Sequence, residues 1–379
     1  MGDHCSGTVA ERKHAMRVLI NDWITFIRGY LRKEYPKFIL NEGITDEIPT
    51  FVNHHIAHKE FNDCLLHLKR NHYKTLSADE CEDRLESHTI KQDEIIITFD
   101  DGTSDVYDIV YPLLKQYGFK AIVFIIPHWI GARGMITWEQ AVEMHESGAI
   151  DFQSHSYSHQ AIFVSDQIID YLSPHLKREK CWSRPAISAG CQTEDVANSY
   201  GSPIYEFKSR FSDHYKYIPD DQKQRLCIDY VAQHGRADFF KRRHWKKQLE
   251  GVVRRYRELG QDHGRYENDD ERRMEIEAEL LRSKQVLEQN LHNKHVRHFA
   301  FPWNEVGAET LRLLPTLGFR TAYIGMQQVA ISDEETPGLK IIRRVTGDFI
   351  QCLPGKGRRS FWGVLMYKIG RRLFKGVTY

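Results

Sequence analysis

The chain reads as an α/β protein of parallel strand–helix units, arranged either as a barrel or as a doubly wound sheet, and three observations predict this. Short apolar runs recur at Ile95–Thr98, Ala121–Ile126 and Ile150–Gln153. Helical patterns of about ten to fifteen residues separate them, the spacing of β-α units. Each run is apolar on both faces, so both faces must be covered, as in parallel sheets flanked by helices. With 379 residues, 41% of them hydrophobic, the chain can build a full core.

The elements follow in order. Val18, Trp23, Ile24, Ile27 and Leu31 fall at helical spacing and predict an N-terminal amphipathic helix within residues 14–40. A short strand at "FVNHHIA" leads into a helix from about Lys59 to Arg70. Strand Ile95–Thr98 is followed by helix Val106–Tyr117, and strand Ala121–Ile126 by helix Trp138–Ser147. Strand Ile150–Gln153 runs into a polar loop. From Leu172 to His295 the alternation stops, and this charged, mostly helical stretch reads as an insertion. It carries the cations Lys241, Arg242, Arg243, Lys246, Lys247, Arg254 and Arg255, suited to a diphosphate or to a solvated helix face. A later helix places Ile276, Leu280, Leu287 and Leu291 on one side. Strands resume at "RHFAFPW", "TAYIG" and "LKIIRRV".

Charge and composition exclude several classes. Lys and Arg number 53 against 52 Asp and Glu, so no global field marks a nucleic-acid partner. The seven cysteines contain no Cys-x-x-Cys pair and read as reduced thiols. The first thirty residues lack the apolar centre of a signal peptide, and no stretch is long enough to span a bilayer, which points to the cytoplasm.

Chemistry collects at two strand ends. Asp100 and Asp101 follow the run "IIITF", and adjacent anions repel unless a cation lies between them. His155 and His159 follow "IDFQ" four residues apart, a spacing at which two imidazoles can share one divalent ion with a carboxylate. In parallel β-α folds such positions lie at the carboxyl-terminal rim, where these proteins place their sites.

"TFDDG" at 98–102 with "SHSYSH" at 154–159 resembles the polysaccharide deacetylases, the NodB-like chitooligosaccharide deacetylase domain. The resemblance covers about residues 48–160 and 296–347. It implies a distorted (β/α) barrel of about seven strands, with Asp100 as catalytic base and Asp101, His155 and His159 as ligands of a divalent metal, most simply Zn2+. "FPWN" looks like the family's third motif, which makes Phe301, Pro302, Trp303 and Asn304 substrate-binding candidates. The family's late Leu-x-His motif is missing, leaving His54, His298 and, as a charge stabiliser, Arg344 as candidates for the remaining role.

By this reading the chain divides into an N-terminal helical segment (1–47), the first part of the barrel (48–174), a helical insertion over the barrel mouth (175–295), the last part of the barrel (296–350) and a basic amphipathic tail (351–379). The tail places Phe361, Trp362, Leu365, Ile369 and Leu373 at helical spacing among Arg358, Arg359, Lys368, Arg371, Arg372 and Lys375. Such a helix can lie on an anionic membrane over residues 358–375 or pack on the barrel. The expected activity is hydrolysis of an N-acyl, most simply N-acetyl, group from an amino sugar in a nucleotide- or lipid-linked glycan precursor. A deformylase, another non-peptide C–N hydrolase, or a non-catalytic carbohydrate-binding or scaffolding relative are the alternatives.

Overall fold

Seven parallel strands close on themselves around a single axis. The computed structural model describes residues 26–44, 47–176, 194–326 and 336–375. The ring runs β1 (Thr50–Asn53), β3 (Glu94–Asp101), β4 (Ala121–Ile125), β5 (Ile150–Ser154), β10 (His298–Ala300), β11 (Thr321–Gly325) and β12 (Lys340–Thr346), which returns to β1. A two-residue strand, β2 (Lys74–Thr75), pairs outside the ring with the start of β3. Closure is seen in β1, where Phe51 lies opposite both Val345 and Ile97. One seam is thin: β5 and β10 meet only at Ser154 and Phe299, which distorts the barrel there.

Strand parity sorts the side chains. Ile96, Ile122, Phe124, Ala300, Tyr323 and Ile342 form the apolar interior, floored by Leu76, Ala78 and Cys81. Their neighbours Ile95, Ile97, Phe99, Val123, Ile125, Phe152 and Phe299 face outward under the helices. Those helices are α1 (His58–Arg70), α2 (Ala78–Glu86), α3 (Tyr111–Tyr117, entered through a π-turn at Val106–Val110) and α4 (Trp138–Glu146). Ser77 and Thr137 start α2 and α4 with reciprocal capping boxes to Glu80 and Gln140.

The region between β5 and β10 differs from a purely helical insertion. It opens with an antiparallel ribbon, β6 (Ala161–Tyr171) against β7 (Pro203–Ser209). A second, two-residue pair follows, β8 (Tyr217–Ile218) with β9 (Arg265–Tyr266). The ribbon escapes the apolar pattern because Ser165, Asp166 and Gln167 interrupt it, and its register shifts between Phe163 and Ile168. Helices α5 (Asp221–Gln233) and α6 (Trp245–Glu258) pack with Tyr171, Phe239 and Phe240 into a small core of their own. The cationic cluster is partly neutralised here: Lys246 pairs with Asp170 at 2.9 Å, Lys241 with Asp238 at 2.6 Å and Arg254 with Glu258 at 3.9 Å.

The long helix α7 (Asp269–Asn290) belongs elsewhere. Its Ile276, Leu280 and Leu287, with Leu291 just beyond it, join the outer core of the barrel, so this part of the expected insertion is a barrel helix. Helix α8 (Ala308–Thr316) completes that side.

The N-terminal end corrects the sequence reading, and the tail follows one of its two alternatives. Residues 26–31 are helical, but turns follow, and Phe38 and Ile39 enter the core, so no helix continues to residue 40; Val18, Trp23 and Ile24 lie outside the described residues. The tail does form a helix, α9 (Phe361–Lys375). Phe361 and Leu365, expected to face lipid or the barrel, are buried with Val364 in the core, and Phe361 stacks on Tyr30 with ring centres 4.3 Å apart. Cys64, Cys81, Cys227 and Cys352 are free thiols as expected, while Cys5, Cys181 and Cys191 lie outside the described residues. Among the described residues no helix is long and apolar enough to cross a membrane.

Candidate active site

The two-residue period that buries Ile96 inside the barrel also carries Thr98 and Asp100 inward at the end of β3. It brings Arg344 in from β12, two residues after Ile342, and His155 from the end of β5. His54 follows β1 at the same level, its Nε2 4.0 Å from Asp100 Oδ2. Asp101 breaks the parity. Its φ of 72°, followed by Gly102 at 85°, turns the chain so that the second carboxylate returns over the mouth.

The two carboxylates have different partners. Asp100 is buried, and Arg344 clamps it through two parallel bonds, Nη1 to Oδ1 at 2.6 Å and Nη2 to Oδ2 at 2.9 Å. Burial pushes the Asp100 carboxyl up, but Arg344, helped by His155 and His54, outweighs it and draws the group down to about 2. Arg344 is fixed in turn by Thr98 Oγ1 at 3.2 Å and by the Phe124 ring beneath it.

Asp101 faces imidazoles instead. His155 donates Nδ1–H to the Ala300 carbonyl at 2.9 Å, which leaves its Nε2 lone pair 3.6 Å from Asp101 Oδ1. His159 Nε2 lies 3.9 Å from the same oxygen. Burial lowers the basicity of both rings, in His159 far below the usual histidine value, so neither brings a proton to the carboxylate near neutrality. Three lone-pair donors thus converge with no proton between them, and a cation stabilises such a set. Donors bound to one divalent ion at about 2.0–2.2 Å sit roughly 3.3–3.6 Å apart, close to the spacing seen. The residues therefore fit a divalent ion.

Strain collects here as well. Asp101, Ser156, His159, Trp303 and Asn304 all occupy the left-handed region, with φ between 53° and 72°. Non-glycine residues hold that conformation only where surrounding contacts fix it. Several do: the His159 N–H donates to Ser156 Oγ at 2.9 Å, and Glu279 of α7 accepts from Ser158 N at 3.0 Å and Oγ at 2.8 Å. Ser283, one turn further along α7, meets Ser154 Oγ at 2.8 Å.

Residues 87–198 match the family described as polysaccharide deacetylase. Among curated proteins, the putative polysaccharide deacetylase YxkH of Bacillus subtilis is 38% identical over 105 residues, 27% of this chain and 37% of that protein. Over this segment the chain is similar to the polysaccharide deacetylases. A second similar protein, the poly-beta-1,6-N-acetyl-D-glucosamine N-deacetylase of Staphylococcus epidermidis, is 28% identical over 148 residues, 38% of this chain and 45% of that protein. The chain thus matches well under two thirds of the length of either curated relative. Among solved structures, the BpsB deacetylase domain from Bordetella bronchiseptica superposes with a TM-score of 0.49 at 16% identity, over 79% of this chain and 95% of that one.

The "FPWN" segment divides. Phe301 keeps the outward parity of Phe299 and packs against it, and Pro302 is buried too, so neither is open to a substrate. Trp303 is 38% exposed, and its ring stands edge-on to His159 with centroids 4.2 Å apart. Asn304 is turned against Gly325. Its Oδ1 is buried without a hydrogen-bond partner. His298 is removed from the site altogether: it opens β10 at the opposite end of the barrel, bonded to Thr321 and Asp79. There Asp79, Glu82 and His298 form a second group of potential metal donors. Arg297 and Arg320 already neutralise its carboxylates at 2.8 and 2.9 Å.

Two rim groups carry no motif in the sequence. Trp129 flanks His159 from the other side at 5.3 Å, and His55 Nδ1 lies 3.5 Å from Asp105, whose carboxylate also receives the Ile56 N–H. Their only signal is position just after an apolar run.

Proposed function

We propose that this chain is a metal-dependent hydrolase that removes an N-acetyl group from an amino sugar of a glycan. One observation carries the reading: two adjacent carboxylates divide their partners, Asp100 to a buried guanidinium and Asp101 to two neutral imidazoles. A non-catalytic binder has no use for a clamped, ionised carboxylate beside a ligand trio.

Asp101, His155 and His159 would hold the ion, zinc by our reading. Bound there, it would supply Lewis acidity toward the acyl carbonyl and toward water. Asp100, ionised and unable to rotate away from Arg344, accepts the proton of the attacking water at a carboxylate oxygen. The new C–O bond forms first at the acyl carbon, and the C–N bond then breaks as the leaving nitrogen takes up a proton. His54, half-exposed beside Asp100, would donate it. Trp303 offers the exposed ring face against which a sugar packs.

The S. epidermidis relative's name supports N-acetylglucosamine polymers as the substrate class. A nucleotide- or lipid-linked N-acyl amino sugar is the narrower proposal. The test supplies the full chain with zinc, cobalt or manganese and offers β-1,6-linked N-acetylglucosamine oligomers beside lipid-linked and nucleotide-linked N-acetyl sugars. Acetate release that stops on chelation and in His155→Ala is expected; no release from any metal-loaded sample overturns the reading.

A further inference from the structure

With Phe361, Val364 and Leu365 buried against the barrel, helix α9 still presents a second apolar face. Trp362, Met366 and Tyr367 are 46%, 64% and 44% exposed, and their i, i+4, i+5 spacing puts them on one side of the helix. Trp362 leans on Tyr30 at 5.6 Å, and Leu31, next in the chain, is exposed as well. The patch therefore spans two adjoining helices.

The segment that carries this face has charge of one sign. From residue 349 to residue 379 the sequence contains no Asp or Glu but seven Lys and Arg: Lys356, Arg358, Arg359, Lys368, Arg371, Arg372 and Lys375. Two of them serve the fold, since Arg358 donates to the Phe38 and Cys352 carbonyls and Lys368 pairs with Asp348 at 3.0 Å. Arg359 is exposed and lies over the Tyr367 ring. Aromatic and thioether side chains on a cation-rich segment suit an interface where acyl chains meet anionic headgroups. A second protein surface would have to bury the cations against matching acids.

The helix is also oriented. Its approach begins at the C-terminal end of α1, where Asn71 bonds Lys356, whereas Lys368 reaches Thr346 at the carboxyl-terminal end of β12. The basic last turns thus lie toward the barrel mouth.

We propose that the Trp362–Met366–Tyr367 face of α9 docks on an anionic bilayer and holds the mouth of the barrel near its surface. The claim stands on the helix and does not require the proposed activity.

Sedimentation of the full chain with phosphatidylglycerol-containing vesicles at low salt tests it. Pelleting is expected with these vesicles and not with pure phosphatidylcholine. Trp362→Ser with Met366→Ser, or Arg359→Glu with Arg371→Glu, should weaken partitioning roughly tenfold or more, with the thermal midpoint retained. Met274→Ser, at an exposed site on α7, should change nothing. Failure to pellet, or equal pelleting of every variant, overturns the proposal. So does a concentration-dependent dimer that the Trp362→Ser, Met366→Ser variant dissolves, because the face would then be a protein interface. Acetate release plays no part in the readout, so loss of the functional reading would leave this result intact.

Discussion

Arg344 and Asp100 form a fully buried, two-pronged ion pair, with nitrogen–oxygen distances of 2.6 and 2.9 Å. The clamp occupies both oxygens of Asp100, so that carboxylate cannot swing toward the imidazoles, and Asp101 alone completes the ligand trio. On the proposed reading, this contact is what separates a base from a ligand in a pair of identical side chains.

Replacing Arg344 should therefore damage chemistry more than metal binding. Arg344→Met leaves only the weaker pull of His155 and His54 against burial, which raises the Asp100 carboxyl. The acidic limb of the pH dependence of kcat/KM should move to higher pH, with activity at neutrality falling by roughly 10²–10⁴-fold as the base is lost. Arg344→Lys keeps the charge but not the fork and should lie between. Breaking a buried pair also costs about 3–5 kcal/mol of stability, to be read from urea unfolding. An unmoved acidic limb in a folded Arg344→Met protein would refute the assigned role.

The trio makes a complementary prediction. Asp101→Asn, His155→Ala and His159→Ala should each lose most bound metal, measured by elemental analysis after dialysis, because each removes one of three protein ligands. Asp100→Asn should retain metal while losing rate. The reverse pattern in the two aspartate variants would exchange their roles.

Much of this was legible because strands write their parity into the sequence. The apolar runs gave the barrel strands to within a few residues, and "TFDDG" and "SHSYSH" sit at their ends. The same parity, followed through "HFAFPW", places Phe301 with outward-facing Phe299, a distinction a motif alone does not make. Helix α7 was misplaced for another reason. Its apolar side is plain in the sequence, but helical spacing names no partner, and only tertiary packing assigns Ile276 and Leu280 to the barrel. Arg344 carried the same ambiguity in "LKIIRRV", where two adjacent arginines point to opposite faces.

Glu279 extends that lesson to the site. Its carboxylate receives both the Ser158 N–H and hydroxyl, one residue before His159. Glu279→Ala should loosen the left-handed turn that aims His159 and weaken metal affinity by about 10–100-fold, as loss of an outer-shell partner does. Competition against a fluorescent chelator measures this. Unchanged affinity would mean that the loop is held by Ser156 and the strand alone.

The charged network at the far end of the barrel should govern acid stability. His298, with Arg297, holds the Asp79 carboxyl well below the usual range against the opposing effect of burial. A carboxyl lowered in the folded state stabilises above its unfolded value of about 3.9 and loses that contribution as pH falls below it. Between pH 5 and 3 the wild type should lose stability more steeply than Asp79→Asn, which has no proton to take up. Parallel slopes in chemical denaturation would show that Asp79 is uncoupled from folding.

Gly102 tests the turn that returns Asp101 to the mouth. Its φ is +85°, and an added Cβ would lie 2.7 Å from Ile125 Cγ1 and 3.0 Å from Cδ1, inside a β4 side chain buried on every side. Gly102→Ala therefore meets two penalties, roughly 1–2 kcal/mol for the left-handed backbone and about 1–3 kcal/mol for overpacking. Ile125→Ala removes the obstructing atoms and should recover only the second penalty, so the double-mutant cycle should show a favourable coupling between the two positions. Metal affinity should fall in Gly102→Ala and stay low in the double variant, because the backbone that aims Asp101 is still strained. An alanine at 102 with wild-type unfolding midpoint and wild-type metal affinity would show that the turn tolerates a side chain, and the account of how Asp101 reaches the histidines would have to be abandoned.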